Sequence, residues 1–315
     1  MDQAPVPPPP PAIAERCYRH PDVVTGVHCT RCGRPICPDC MVPAPVGHQC
    51  PECVKGAKQE FRRPAQRVAT GPQRGFSLTN LLLAILVGVY ILEVGAGGMG
   101  SLFGGPPTST LIRLGANIGL AQLPTRAWVG VAIGQQWRLV TAMFLHANLI
   151  HIAMNGYVLY FFGNIVEKEL GRTRFLLLFF VTGLCASVAT YAFGPNNVAS
   201  VGASGAIFGL FGVFLAYNWR RRELAFYAAR MRSALTLILI NLLFTFSLSS
   251  VIDWRAHVGG LVAGLIAGVA ADGIGSDRRK NALLFGATLA ALLAVAAVLT
   301  AMRTQDLLTR FPMAR

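Results

Sequence analysis

Four side chains stand in contexts that could support chemistry: Ser204 in Gly202-Ala203-Ser204-Gly205, His257 in Ala256-His257-Val258-Gly259-Gly260, and the pair His151 and Asn155. A serine at a G-x-S-G turn into a helix holds its hydroxyl at a helix N-terminus. Unpaired N–H groups and the helix dipole there favour a developing negative charge. Gly202 and Gly205 allow other backbone to approach closely. Alone the motif is weak, because serine and glycine are common wherever apolar helices touch. A histidine within reach would activate the serine by accepting its proton. His151 and Asn155, four residues apart, share a helix face, and both can donate hydrogen bonds to an oxyanion. His146 precedes His151 by five residues, which turns the two apart on a helix. No carboxylate accompanies them, so a metal site is not expected there.

A second chemistry-bearing group lies near the N-terminus. Cys17-x-x-His20, Cys29-x-x-Cys32, Cys37-x-x-Cys40 and Cys50-x-x-Cys53 form four knuckles with His48 close by. They carry enough ligands for about two tetrahedral zinc sites. Residues 1–14 are Pro-rich, with no basic stretch leading into an apolar run. No export signal is expected there, and the cysteines are expected in the reducing cytosol, where metal binding outweighs disulfide formation.

The elements that must position these residues are apolar. Hydrophobic residues make up 53% of the 315 and charged residues only 13%, with a mean hydropathy of +0.50. A soluble domain carries about 25% charged residues. Stretches near 78–95, 144–162, 173–193, 203–219, 233–250, 255–272 and 282–302 approach the length a bilayer requires. Residues 96–140 contain no clean span and are expected as a structured loop at the membrane interface. The expected organisation is a Pro-rich tail (1–16), a Cys/His module (17–54), a basic linker (55–77), a membrane domain (78–302) and a C-terminal tail (303–315).

The formal charge of +14 is explained by topology. With the N-terminus inside, the linker, Lys168, Arg172, Arg174, Arg220 to Arg222, Arg230, Arg232 and Arg278 to Lys280 all fall on one side. Arg113, Arg126 and Arg255 fall on the other. That is the positive-inside bias, so nucleic acid is not an expected partner. The same threading puts His151, Asn155, Ser204 and His257 at one depth, towards the outer face, on three helices running the same way. Gly260, Gly264 and Gly268 form a smooth face on the sixth span. That face could meet the small residues of the fourth span and bring His257 to Ser204.

At this point the residues resemble the rhomboid intramembrane serine proteases. The resemblance runs across most of 78–302. It is carried by Trp137-Arg138, by His146, His151 and Asn155, by Gly163, Glu167 and Gly171, by Gly202-Ala203-Ser204-Gly205, and by Ala256-His257-x-x-Gly260 followed by Gly264. It implies an all-α polytopic membrane protein with a six-helix rhomboid-like core plus one C-terminal transmembrane helix, preceded by the small zinc-finger module. It implies Ser204 as nucleophile and His257 as general base, with an oxyanion held by the Ser204 N–H, His151 and Asn155. Trp137, Arg138, Glu167, Gly202, Gly205 and Gly260 would be structural. The expected activity is intramembrane endopeptidase cleavage of transmembrane proteins near the outer face. The expected location is the cell membrane, with the N-terminus cytoplasmic and the C-terminus outside. Asp253, four residues before His257, is a conceivable partner for it but more naturally marks the membrane boundary.

The alternatives are a catalytically silent relative that binds transmembrane clients, and a transporter. A transporter would call for intramembrane carboxylates paired with cations, or matching broken helices; neither is read from the sequence. The Cys/His module resembles B-box-type zinc fingers. That resemblance implies a cross-brace pairing the first knuckle with the third and the second with the fourth, with His48 able to replace Cys50 or Cys53. The zinc would be structural, and the module could contact a cytosolic protein partner.

Overall fold

The computed structural model describes residues 15–56, 77–249, 252–273 and 277–314. Most of the expected Pro-rich tail and basic linker lies outside the described residues. The chain divides into two compact units, Met1–Arg74 and Gly75–Arg315.

The described residues of the N-terminal unit form only short elements. A turn of 3-10 helix, Pro38–Cys40, precedes the two-residue strands β1 (Val42–Pro43) and β2 (His48–Gln49), which pair antiparallel. Its buried core is Ile36 together with Cys17, Cys29, Cys37, Cys40 and Cys50. A core of one aliphatic side chain plus thiols is too small to offset chain entropy, so metal ligation is what would fold such a unit.

The second unit is a helical bundle. It consists of α1 (Leu78–Gly97), α2 (Leu149–Leu170), α3 (Arg172–Phe193), α4 (Ser204–Trp219), α5 (Ala225–Ser247), α6 (Trp254–Asp272) and α7 (Arg278–Arg310). Six of these are long and apolar enough to cross a membrane; α4 is shorter. The chain is thus a multi-pass membrane protein. α4 is buried almost all round, with Gly205 to Phe214 enclosed by its neighbours. It packs most extensively against α6, because Gly260, Gly264 and Gly268 leave no side chain in between. A Cβ on Gly260 would strike the carbonyl oxygen of Gly205, one on Gly264 the carbonyl oxygen of Gly209, and one on Gly268 would lie 2.7 Å from Cα of Val213. Backbone-to-backbone contact of this kind is how apolar helices associate when water provides no driving force between them.

Three spans differ from expectation. Helix α5 begins at Ala225, eight residues before the expected 233. Helix α2 begins at Leu149, because Asn148 caps it by accepting the N–H of His151 at 2.9 Å. His146 therefore precedes the helix. Its ring meets that of His151 edge to face, with centroids 5.1 Å apart, where an unbroken helix would have turned them away from each other. Within α2, Leu159–Gly163 forms a π-helical segment. At the other end of the chain, the residues expected as a tail from 303 continue α7 to Arg310. Arg303 and Arg310 both pair with Asp306 at 2.7 Å, and Arg303 also donates to the carbonyl of Gly194 at 3.1 Å.

The long segment between α1 and α2 is folded. It contains the short helices Ser101–Gly104 and Thr108–Leu114, a hairpin of β3 (Ala121–Gln122) and β4 (Trp128–Val129), and the turns Val131–Ile133 and Arg138–Thr141. Buried Arg138 holds it together, donating to Gln135 Oε1 at 2.6 Å and to the carbonyls of Ile112 at 2.6 Å and Ala116 at 3.2 Å. Half-exposed Trp137 stacks under its guanidinium. At the opposite end of α2, buried Glu167 caps α1. Its carboxylate accepts from the N–H groups of Leu78 and Thr79 and from the hydroxyls of Ser77 and Thr79, all at 2.7–2.9 Å. Negative charge at a helix N-terminus is favourable.

Candidate active site

Ser204 is the first residue of α4, and the chain reaches it through a tethered loop. Asn117 and Ser200 exchange backbone hydrogen bonds of 3.0 and 2.8 Å, and the Gly202 N–H donates to the carbonyl of Ala142 at 2.8 Å. Gly202 has φ +129°, a conformation that side-chain-bearing residues rarely adopt. The loop from the interfacial segment thus fixes the turn that delivers Ser204. As the first helical residue, Ser204 has an N–H with no intrahelical partner.

His257 comes from the first turn of α6, and the glycine face of that helix sets its reach. Its Nε2 lies 2.8 Å from Ser204 Oγ. The ring stacks on Phe208 of α4, with centroids 4.3 Å apart and planes inclined by 12°. On its far side, Nδ1 lies 2.8 Å from the hydroxyl of Thr245 on α5. Asp253 does not orient the imidazole. It caps α6 by accepting the N–H of Arg255 at 3.1 Å, and its carboxylate also accepts from Thr190 Oγ1 at 2.5 Å and Ser200 Oγ at 2.9 Å.

His151 and Asn155 face Gly202 from α2. A Cβ built on Gly202 would lie 2.8 Å from His151 Nε2, 2.7 Å from His151 Cε1 and 3.6 Å from Asn155 Nδ2. Both nitrogens therefore border the small space beside the Ser204 turn. His151 Nδ1 accepts the N–H of Ala147 at 3.4 Å, so in the neutral ring the proton sits on Nε2 and Nε2 is a donor. Asn155 is buried, and its Nδ2 has no partner. An unpaired buried donor is costly unless an incoming group accepts from it. The arrangement has the groups that acyl transfer requires: a hydroxyl beside an imidazole nitrogen, and two side-chain nitrogens bordering the same small space.

Three further residues contact the site: Glu93, Phe208 and Thr245. Glu93 is a fully buried carboxylate in α1 that accepts the N–H of His146 at 3.1 Å through each oxygen. It is the lone charge in an apolar run and was legible as such. A carboxylate in an apolar helix is one element a transporter would call for, although α2 runs on through its π-helical segment as one helix. Glu93 pairs with a backbone N–H, however, and not with a cation. Phe208 and Thr245 are ordinary membrane-helix residues that nothing in the sequence distinguishes.

In the N-terminal unit, two groups of four could each hold a metal ion: Cys17, His20, Cys37 and Cys40, and Cys29, Cys32, Cys50 and Cys53. Within each group the ligand atoms lie within 4.8 Å of one another. The grouping is first with third knuckle and second with fourth. His48 belongs to neither group. It is held in β2, where its carbonyl accepts the N–H of Thr30 at 2.9 Å, and Cys50 and Cys53 complete the second set without it. Burial opposes ionisation of Cys17 and Cys29, but surrounding backbone N–H groups outweigh it and hold both thiols down to about 6. For Cys17 these are the N–H groups of Arg19, Cys37 and His20; for Cys29, those of Cys50, Cys32 and Arg31. Thiolates are the ligating form, and sets of four S or three S and one N suit a tetrahedral ion.

Ser204 and His257 form a hydrogen-bonded pair enclosed in a bundle of apolar helices. Residues 133–271 match the rhomboid domain. The chain is 32% identical over 213 residues to rhomboid protease GluP of Bacillus subtilis (strain 168), covering 68% of this chain and 38% of that protein. It is 38% identical over 138 residues to YdcA of the same organism, covering 68% of YdcA. It is also 35% identical over 188 residues to rhomboid-like protease 2 of Toxoplasma gondii, covering 62% of it. The chain belongs to the rhomboid family.

Proposed function

We propose that this chain is an intramembrane serine endopeptidase that cuts transmembrane proteins near the outer membrane face, with Ser204 as nucleophile and His257 as base. The observation that carries this reading is the 2.8 Å approach of His257 Nε2 to Ser204 Oγ beside two donors that converge at Gly202. His257 accepts the Ser204 proton as Oγ attacks a peptide carbonyl carbon. The oxyanion takes hydrogen bonds from the Ser204 N–H, His151 Nε2 and Asn155 Nδ2. The C–N bond then breaks, and His257 returns the proton to the leaving amine. Water, deprotonated by His257, attacks the resulting ester and frees a carboxylate, restoring Ser204.

The length of α4 supports placement within the membrane. Its 16 residues rise about 24 Å at 1.5 Å each, short of the ~30 Å hydrocarbon thickness. A start at Ser204 therefore leaves the nucleophile below the level of the longer neighbouring helices. Residues 1–74 lie in the cytosol in this reading and the C-terminus lies outside, with the cysteine groups each holding structural zinc. The deciding experiment reconstitutes the chain in liposomes with a tagged single-span substrate. Parent chain should yield two fragments and Ser204→Ala none. Equal cleavage by both sinks the protease reading, and intact substrate with both establishes the silent, client-binding alternative.

A further inference from the structure

We infer that Thr245 is a positioning residue for His257, holding the neutral imidazole in the tautomer whose Nε2 lone pair faces Ser204. This rests on the protease reading above. The Thr245 hydroxyl has one proton, which it donates to the carbonyl of Asn241 one turn earlier in α5 at 2.7 Å. Towards His257 Nδ1, at 2.8 Å, it can therefore only accept. Nδ1 must carry the ring proton, which leaves Nε2 as the acceptor facing Ser204 Oγ at 2.8 Å. When the imidazolium forms, Nδ1–H becomes a charge-assisted donor to the same oxygen.

Among the described residues no other group does this work. The Asp253 carboxylate is engaged by Thr190, Ser200 and the Arg255 N–H. Phe208 stacks on the ring face, which limits tilt but treats the two nitrogens alike. Thr245 is 2% exposed, so water does not compete for the contact. It is also the polar member of the three buried residues of α5, with Ala234 and Ile238. Leu239, Leu243, Phe244 and Phe246 of that helix face outward. The protonation pattern of the base thus depends on the seating of the bundle's thinly packed helix.

The test uses the full chain with Thr245→Val, which removes the hydroxyl at similar size, and Thr245→Ser, which keeps it. Thr245→Ala serves in place of valine if that variant aggregates. Steady-state cleavage should show kcat lower by roughly 10- to 100-fold for Thr245→Val, with KM within about twofold and kcat largely recovered by Thr245→Ser. In 15N-histidine-labelled protein in micelles, with His257 assigned by His257→Gln, the parent should show Nδ1 protonated and Nε2 unprotonated. Thr245→Val should lose that preference. An unchanged tautomer in Thr245→Val overturns the inference. So does a kcat within about twofold of the parent, an effect confined to KM, or a serine variant as impaired as valine. If the parent cleaves no better than Ser204→Ala, the protease reading fails on its own, and the nitrogen spectra still decide the tautomer.

Discussion

Gly202→Ala perturbs the proposed oxyanion site through a single methyl group. The new Cβ would lie 2.7 Å from His151 Cε1 and 2.8 Å from Nε2. Ordinary contact requires the ring to withdraw by about 0.7 Å or more. That displacement moves a donor off the position where negative charge develops. Losing one oxyanion donor lowers kcat by roughly 100- to 1,000-fold, about 2.7–4 kcal/mol, and a misplacement near 1 Å alone costs about 100-fold. The backbone adds its own cost, since φ +129° disfavours alanine by about 1–3 kcal/mol. Activity and stability must therefore be read separately. The assay measures kcat and KM on a single-span substrate in liposomes, alongside the labelling rate of Ser204 by a fluorophosphonate and thermal aggregation in detergent. The expected result is a folded protein with kcat down at least 100-fold and KM little changed. Full activity in a folded Gly202→Ala protein, within about threefold of the parent, would refute the assignment of His151 to the oxyanion site.

Further predictions follow from single contacts. Asn155→Ala should lower kcat by roughly 100-fold or more, with KM nearly unchanged, because Asn155 Nδ2 has no ground-state partner to lose; steady-state kinetics decide. Gly264→Leu should abolish folding, since even a Cβ there strikes the carbonyl oxygen of Gly209 in α4; yield of monodisperse protein in detergent is the check. Glu167→Gln should destabilise the bundle by about 1–3 kcal/mol through loss of a charged acceptor at the α1 N-terminus, read as a lower midpoint of thermal aggregation with kcat preserved. Cys29→Ser should halve the zinc bound per chain by elemental analysis, from about two to about one, as its group loses one of four ligands. Two zinc ions retained would contradict the grouping.

Much of the site was legible because membrane chemistry makes polar residues conspicuous. Ser204, His257, His151 and Asn155 stand out against apolar surroundings, and the charge distribution is the basis for expecting them at one depth. The glycines of α6 likewise announce a close helix contact. Glu93 carries the same signal. Thr245 and Phe208 carried none, since threonine and phenylalanine are common in apolar helices and only their distance to His257 distinguishes them. The two metal groups illustrate the same limit. C-x-x-C spacing identifies ligands two at a time, while exclusion of His48 depends on strand pairing that fixes where its side chain can go.

The sequence by itself determined the periodic and compositional features: which stretches are apolar enough to span, which ends carry positive charge, and which residue types are costly in lipid. Those follow from local burial energetics, which act residue by residue. The tertiary structure decided the relations between segments. It engaged Asp253 with Thr190 and Ser200, laid His257 against Ser204, and set Thr245 of α5 behind His257. These meetings join side chains 12 to 63 residues apart at hydrogen-bond distance. No local pattern encodes such meetings, because they result from packing whole helices against one another.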